Sequence, residues 1–220
     1  MYSTIIYDLD GTLVDSAATV TALLNGLRSE QALPPLTQAE ITPWLSIGGR
    51  ALVAASLGIP EEDSQPFLET FRTRYNMLPC SPEVLYPNVC ETLTSLVETG
   101  VRLALCTNKP RHLTDKVLSE TGLRHFFSTI CAGSDLPTCK PHPDNLHACL
   151  NVLDSCPAEA IFVGDSRVDQ TMAQACGVDF AFYQGGYDDG VEPDHCTLIL
   201  RQHTEILNLF SSIEQRPRHE

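Results

Sequence analysis

Short apolar runs alternate with longer amphipathic stretches along most of the chain. Thr4-Ile5-Ile6-Tyr7 is apolar and partly β-branched, and it ends in Asp8-Leu9-Asp10-Gly11-Thr12. That pattern predicts a buried strand running into a glycine turn. Val20, Leu23, Leu24 and Leu27 then recur at i, i+3, i+4 and i+7, the spacing of an amphipathic helix. Leu45, Ala51-Leu52-Val53 and Leu57 continue the helical theme across a break at Gly48-Gly49. Gly58-Ile59-Pro60 is a stop, and residues 61–77 restart as a helix with an acidic first turn. Nothing in residues 16–79 reads as a strand.

From residue 80 the pattern changes. Val89, Leu93, Leu96 and Val97 predict a helix over 88–99, stopped by Gly100. Residues 101–106 form an apolar strand interrupted only by Arg102, and 110–120 a helix with Pro110 in its first turn. A strand at 128–131, a helix at 143–153 and a strand at 160–163 follow, the last ending in Gly164-Asp165-Ser166. A short helix to Cys176, strands at 179–183 and 197–200 and a helix at 203–211 complete the series. Alternation of short apolar strands with helices implies a parallel sheet covered on both faces. The expected fold is therefore α/β, a Rossmann-like parallel sheet flanked by helices. Residues 1–15 and 80–220 would form this core, and 16–79 a helical cap inserted after the first strand. The polar tail over 211–220 is expected to be loose.

A length of 220 residues suits one large domain or a domain with an insert. Acids outnumber bases 28 to 14, a net charge of −14. Nucleic acid is a poor partner for such a chain, because the phosphate backbone demands clustered Lys and Arg. An anionic membrane surface is disfavoured for the same reason. No apolar run approaches the roughly 18 residues of a membrane-spanning segment. The first residues lack the basic and apolar regions of a signal peptide, so the cytoplasm is the expected compartment. The nine cysteines are odd in number and show no C-x-x-C spacing, which argues for free thiols over zinc or a disulfide framework.

In open α/β sheets, ligands sit at the carboxyl ends of the strands. Those ends gather Asp8 and Asp10, Thr107 and Asn108, Lys140, and Asp165 with Asp169. Asp8 and Asp10, one residue apart in extended chain, present both carboxylates on one face. Paired carboxylates separate their pKa values unless a cation intervenes, which suits one to attack and the other to carry a proton. Asp165 and Asp169 converge if a helix begins at Ser166. Hard oxygen ligands from Asp8 and Asp165 would suit Mg²⁺ with phosphate. The plainer alternative is that Asp165 or Ser166 caps that helix. Lys140 lies in Cys139-Lys140-Pro141-His142-Pro143, where the prolines restrict it. Its ammonium could offset the carboxylates and bind a phosphate oxygen.

The ordered set is more specific than its parts. Asp-x-Asp-Gly-Thr-Leu-Val-Asp-Ser, Thr-Asn-Lys-Pro, Lys-Pro-His-Pro-Asp and Gly-Asp-Ser-x-x-Asp together resemble the haloacid dehalogenase-like phosphatases. The likeness runs over nearly the whole chain and is greatest to the phosphoglycolate phosphatase branch. Trp44 through Gly49-Arg50, and Gly186-Tyr187-Asp188-Asp189-Gly190, also look like that branch. The resemblance implies a Mg²⁺-dependent phosphatase acting on a small phosphate monoester, foremost 2-phosphoglycolate. Asp8 would be the nucleophile and Asp10 the acid and then the base. Thr107, Asn108 and Lys140 would bind phosphate, and Arg50 would grip a substrate anion. Asp8, Asp10 through its backbone carbonyl, and Asp165 would hold Mg²⁺, with Asp169 in support. Pyrophosphate, a nucleoside monophosphate or a sugar phosphate are the alternative substrates, and a module that stores aspartyl-phosphate without turnover is the alternative class. A monomer or homodimer is expected.

Overall fold

The computed structural model describes residues 2–210. Six strands make one sheet: β1 (Thr4–Tyr7), β2 (Arg102–Cys106), β3 (Thr129–Cys131), β4 (Ala160–Gly164), β5 (Asp179–Tyr183) and β6 (Leu198–Leu200). Their spatial order is β3-β2-β1-β4-β5-β6, and every neighbouring pair is parallel. The chain winds outward from β1 in one direction and then crosses β1 to wind outward in the other. β1 and β4 therefore flank the point where the winding reverses, with Tyr7 opposite Val163 at their carboxyl ends.

Between β1 and β2 the chain is helical, as the apolar spacing predicts. It forms α1 (Ala17–Glu30), α2 (Gln38–Ile41), α3 (Gly49–Leu57) and α4 (Gln65–Met77). Thr37 and Glu40 cap α2 reciprocally, and α3 ends on left-handed Gly58. The two connections to the sheet run side by side, Val14 bridging antiparallel to Leu85. Asp15 N–H donates to the Val84 carbonyl at 2.8 Å and Tyr86 N–H to the Leu13 carbonyl at 3.1 Å.

The remaining helices are α5 (Val89–Glu98), α6 (Arg111–Glu120), α7 (Asp144–Val152) and α8 (Arg167–Ala175). Alternation along the strands sorts the core into two layers. Ile5, Tyr7, Leu103, Leu105, Ile161 and Val163 pack against apolar residues of α5 and α6 on one face, and this layer continues into α1, α3 and α4. Ile6, Ala104, Cys106, Phe162 and Phe180 face the other way, onto α7 and α8. All nine cysteines are free thiols, four of them buried.

The last expected helix is a 3₁₀ helix over His203–Leu209. Its inward residues His203, Ile206 and Leu209 recur every third position, which the threefold 3₁₀ repeat aligns on one edge. The tail expected over 211–220 lies outside the described residues. Among the described residues no helix is long and apolar enough to cross a membrane.

Candidate active site

The site begins where β1 ends. Asp8 N–H continues the ladder to the Val163 carbonyl at 2.9 Å, which fixes Asp8 beside the end of β4. Two residues later Gly11 turns with φ +82°, and a Cβ there would lie 2.1 Å from Asp165 Oδ2. Both the backbone angle and the space at this turn therefore require glycine. The turn lets Thr12 Oγ1 donate to Asp165 Oδ1 at 2.8 Å. Asp165 Oδ2 accepts from Tyr187 N–H at 2.8 Å. Asp165 is thus held from both sides, by the loops after β1 and β5.

Immediately after Asp165, Ser166 forms a capping box with Asp169 that starts α8. Ser166 Oγ donates to Asp169 Oδ2 at 2.6 Å, and Asp169 Oδ1 accepts from Lys140 Nζ at 2.7 Å. Ser166 caps α8 as one alternative expected, and the same Asp169 carboxylate also meets Lys140. Lys140 Nζ also lies 2.8 Å from Asp8 Oδ1. Asn108 holds the Lys140 backbone at both ends: its Oδ1 accepts from Lys140 N–H at 2.8 Å and its Nδ2 donates to the Lys140 carbonyl at 3.1 Å. The Asn108 side chain therefore positions Lys140, and Asn108 also lines the cavity above the cluster. Thr107 is buried beneath, its hydroxyl accepting from Lys109 N–H at 3.2 Å.

Burial dominates the electrostatics. It pushes the Asp8 carboxyl up to about 7, although Lys140 pulls the other way. Burial, with Asp169 and Asp8 nearby, raises Asp165 well above the usual carboxylate range. Burial alone would lower Lys140, but Asp169 and Asp8 raise it above an ordinary lysine. Three carboxylates thus share one ammonium in a dry site, an imbalance that a cation would relieve. Oxygens of Asp8, Asp165 and Asp169 lie within 4.8 Å of one another. Asp8 Oδ1 is buried and paired with Lys140 Nζ at 2.8 Å, while Asp165, the third carboxylate, has no ion pair to a cation among the described residues. An all-oxygen donor set with more negative charge than one ammonium offsets fits Mg²⁺.

Above this cluster lies a cavity between the sheet and the α1–α4 layer. Asp10 lines it and faces Lys109, whose Nζ lies 2.9 and 3.0 Å from the two carboxylate oxygens. Lys109 Nζ also sits 4.3 Å from the Tyr75 ring centroid on α4. Arg50 does not reach the cavity. On α3, Gly49 and Leu52 face inward, while Arg50 is exposed and its Nη2 donates to the Glu61 carbonyl at 3.3 Å. The helical periodicity of α3 could not say which of two adjacent residues points in, and the inward arginine is Arg72 of α4. Lys109 stood in the Thr-Asn-Lys-Pro motif without a role, and Tyr187 stood in a recognised loop. Their distances to Asp10 and Asp165 supply what the motifs lacked.

Comparison with known proteins agrees with this geometry. The family of haloacid dehalogenase-like hydrolases matches residues 5–183. Phosphoglycolate phosphatase 1 of Pseudomonas aeruginosa is 37% identical over 193 residues, covering 84% of this chain and 71% of that protein. Phosphoglycolate phosphatase of Pectobacterium atrosepticum is 33% identical over 221 residues, covering 96% and 94%. The crystal structure of a predicted phosphoglycolate phosphatase from Haemophilus somnus 129PT is similar with a TM-score of 0.87 at 28% identity, covering 95% of this chain and 98% of that one.

Proposed function

The chain belongs to the haloacid dehalogenase-like hydrolases and is a phosphoric monoester hydrolase of the phosphoglycolate phosphatase type; on that premise we propose that it hydrolyses 2-phosphoglycolate through an aspartyl-phosphate on Asp8. The observation that carries the reading is the Lys140 ammonium set 2.8 Å from Asp8 and 2.7 Å from Asp169, at the strand ends where the sheet reverses its winding. A carboxylate attacking a phosphate dianion meets like charge, so a fixed ammonium beside the nucleophile lowers the barrier directly.

Asp8, Asp165 and the backbone carbonyl of Asp10 would hold Mg²⁺, with Asp169 orienting Lys140 and closing the set. When bound, the ion supplies positive charge against that of the phosphoryl oxygens. Asp8 attacks phosphorus, the bond to the glycolate oxygen breaks, and Asp10 gives that oxygen its proton. Asp10 then takes a proton from the water that attacks the aspartyl-phosphate, releasing phosphate and restoring Asp8. Splitting one hard displacement into two is the use of a covalent intermediate. Asp10 must leave Lys109 to serve as acid, so Lys109 and Tyr75 act as its resting place. Thr107 lies at the phosphate end. Residues 16–79 act as a cap whose α3 and α4 roof the cavity and limit water. The enzyme works in the cytoplasm on a free metabolite.

The test is phosphate release with Mg²⁺ from 2-phosphoglycolate, pyrophosphate, a nucleoside monophosphate and sugar phosphates, run beside Asp8→Asn. We expect preference for 2-phosphoglycolate and loss of turnover by at least about 10³-fold in the variant. Preference for another ester would refute the substrate while leaving the mechanism. Turnover that survives Asp8→Asn would refute the nucleophile. A stable aspartyl-phosphate without turnover would indicate a storage module.

A further inference from the structure

Three cationic side chains line the cavity: Lys109, Lys140 and Arg72. Two are committed, Lys140 to Asp8 and Asp169, and Lys109 to Asp10. Arg72 is half-buried and, among the described residues, makes no hydrogen bond or ion pair. We infer that Arg72 is the specificity residue that grips a carboxylate on the substrate while its phosphate sits on Asp8. The inference rests on the reading of the site as a phosphatase and names the second group its substrate must carry.

Several observations converge on this residue. Arg72 lies on α4 with Leu68, Phe71 and Tyr75, at the spacing of one helical face, and all four line the cavity. Glu69, one turn back, and Cys139 act on Arg72 only at a distance, and Glu69 Oε1 accepts from Gln65 Nε2 at 2.9 Å. The guanidinium rests against bare backbone at Gly49, where a Cβ would lie 3.6 Å from Arg72 Nη2 and 2.9 Å from Leu68 Cδ1. A side chain at position 49 would press on Leu68 and touch the guanidinium at ordinary contact distance. Burial also holds the Arg72 pKa below that of a free arginine. A partly desolvated guanidinium with no bonded acceptor gains when a ligand supplies one. Its planar fork matches a carboxylate with two parallel hydrogen bonds, which a lysine cannot reproduce. Leu45, Leu52 and Phe71 make much of the nearby wall apolar, and the Ser46 hydroxyl, unpaired among the described residues, is its polar exception.

The chemistry also selects the class. The phosphate finds its counter-charge at Lys140. One turn along α4, Tyr75 packs on Lys109 beside Asp10, where the leaving oxygen must sit. A group attached to that oxygen through one or two carbons extends into the cavity that Arg72 lines. A phosphorylated hydroxy acid fills both ends, and a neutral alcohol phosphate leaves Arg72 unpaired.

The test measures kcat/KM with Mg²⁺ for 2-phosphoglycolate, 3-phosphoglycerate and ethyl phosphate in wild type, Arg72→Gln and Arg72→Lys. Circular dichroism melts check that the variants are folded. We expect wild type to prefer a carboxylate-bearing ester. In Arg72→Gln the ratio of kcat/KM for that ester over ethyl phosphate should fall by about 10–100-fold, chiefly through KM. Arg72→Lys should recover part of the ratio. An equal loss on all three esters would overturn the inference, since it would mark a phosphate-binding or structural role. An unchanged ratio, or a wild type with no preference for a carboxylate, would overturn it too. If wild type instead prefers 3-phosphoglycerate and Arg72→Gln removes that preference, the inference stands and 2-phosphoglycolate is wrong.

Discussion

Lys140 is buried at a position where an isolated ammonium would be driven to lose its proton, yet its neighbours raise its pKa. The reason is its two carboxylate contacts, and the same contacts make it hard to replace. Lys140→Met would leave Asp8 and Asp169 facing each other without a cation. Breaking a buried pair from one side costs about 3–5 kcal/mol, and loss of an aligned charge at a reacting centre costs about 10²–10³ in kcat. Urea unfolding and steady-state turnover of Lys140→Met would check both, and a variant as stable as wild type at pH 8 would contradict the pairing. Asp8 and Asp165 were readable in the sequence because each directly follows or closes on a strand with Gly11 or Gly164 close by, and Lys140 because Pro141 restricts its backbone. Arg72 and Lys109 were not. An arginine in an amphipathic helix is by default a solvent-facing charge, and only packing reveals which face a roof helix turns inward.

Among the elements, the alternating strands and helices were legible because burial on both faces leaves continuous apolar runs such as Ile161-Phe162-Val163. The helical insert was legible from its i, i+3, i+4 spacing. The way α3 and α4 lie over the sheet was not, because periodicity fixes a face but not what it meets. That is why Arg50 was expected in the cavity and Arg72 was not. The loop after β5 shows the same limit. Its glycines announce a turn, but not that it reaches across to Asp165 and to Ser16 at the start of α1. Tyr187 accepts from Ser16 N–H through its hydroxyl at 2.9 Å while its own N–H donates to Asp165. The close approach depends on Gly186, where a Cβ would lie 2.2 Å from the Gly11 carbonyl oxygen and 2.3 Å from Asp165 Cβ. Those atoms are backbone and a fixed side chain, so they cannot step aside cheaply. Gly186→Ala should push the loop off Asp165, cost about 1–3 kcal/mol and lower kcat/KM by about tenfold or more. Gly26→Ala, on α1 without a positive φ and with only Arg74 Nη1 at 3.6 Å from the added Cβ, should perturb turnover far less, and equal effects from the two would refute the steric argument.

At the scale of the molecule, the charge of −14 matters less than where part of it sits. Asp8, Asp165 and Asp169 are packed at the centre of the sheet with a single ammonium, so folding without a metal concentrates repulsion there. The sign of the pH dependence follows. Folded Asp8 titrates at about 7, raised by burial from 3.8. Between pH 4 and 7 the folded chain therefore holds a proton that the unfolded chain has released, and metal-free stability falls as pH rises through that window. His203 acts in the opposite direction. Burial lowers it from 6.5 to about 4, so the unfolded chain binds the extra proton and stability rises with pH over that range. A bulk pH–stability curve would mix the two. The difference with and without Mg²⁺ would not, because His203 is no ligand and its contribution cancels. Mg²⁺ needs the ionised carboxylates, so its stabilisation should grow with pH. At about 100 times the dissociation constant it amounts to about 2.7 kcal/mol, a rise of about 5–10 °C in Tm for a chain of this size. Thermal melts with Mg²⁺ or EDTA should show that gap near pH 8 and little of it near pH 5. A gap independent of pH would place the ion away from Asp8 and Asp165.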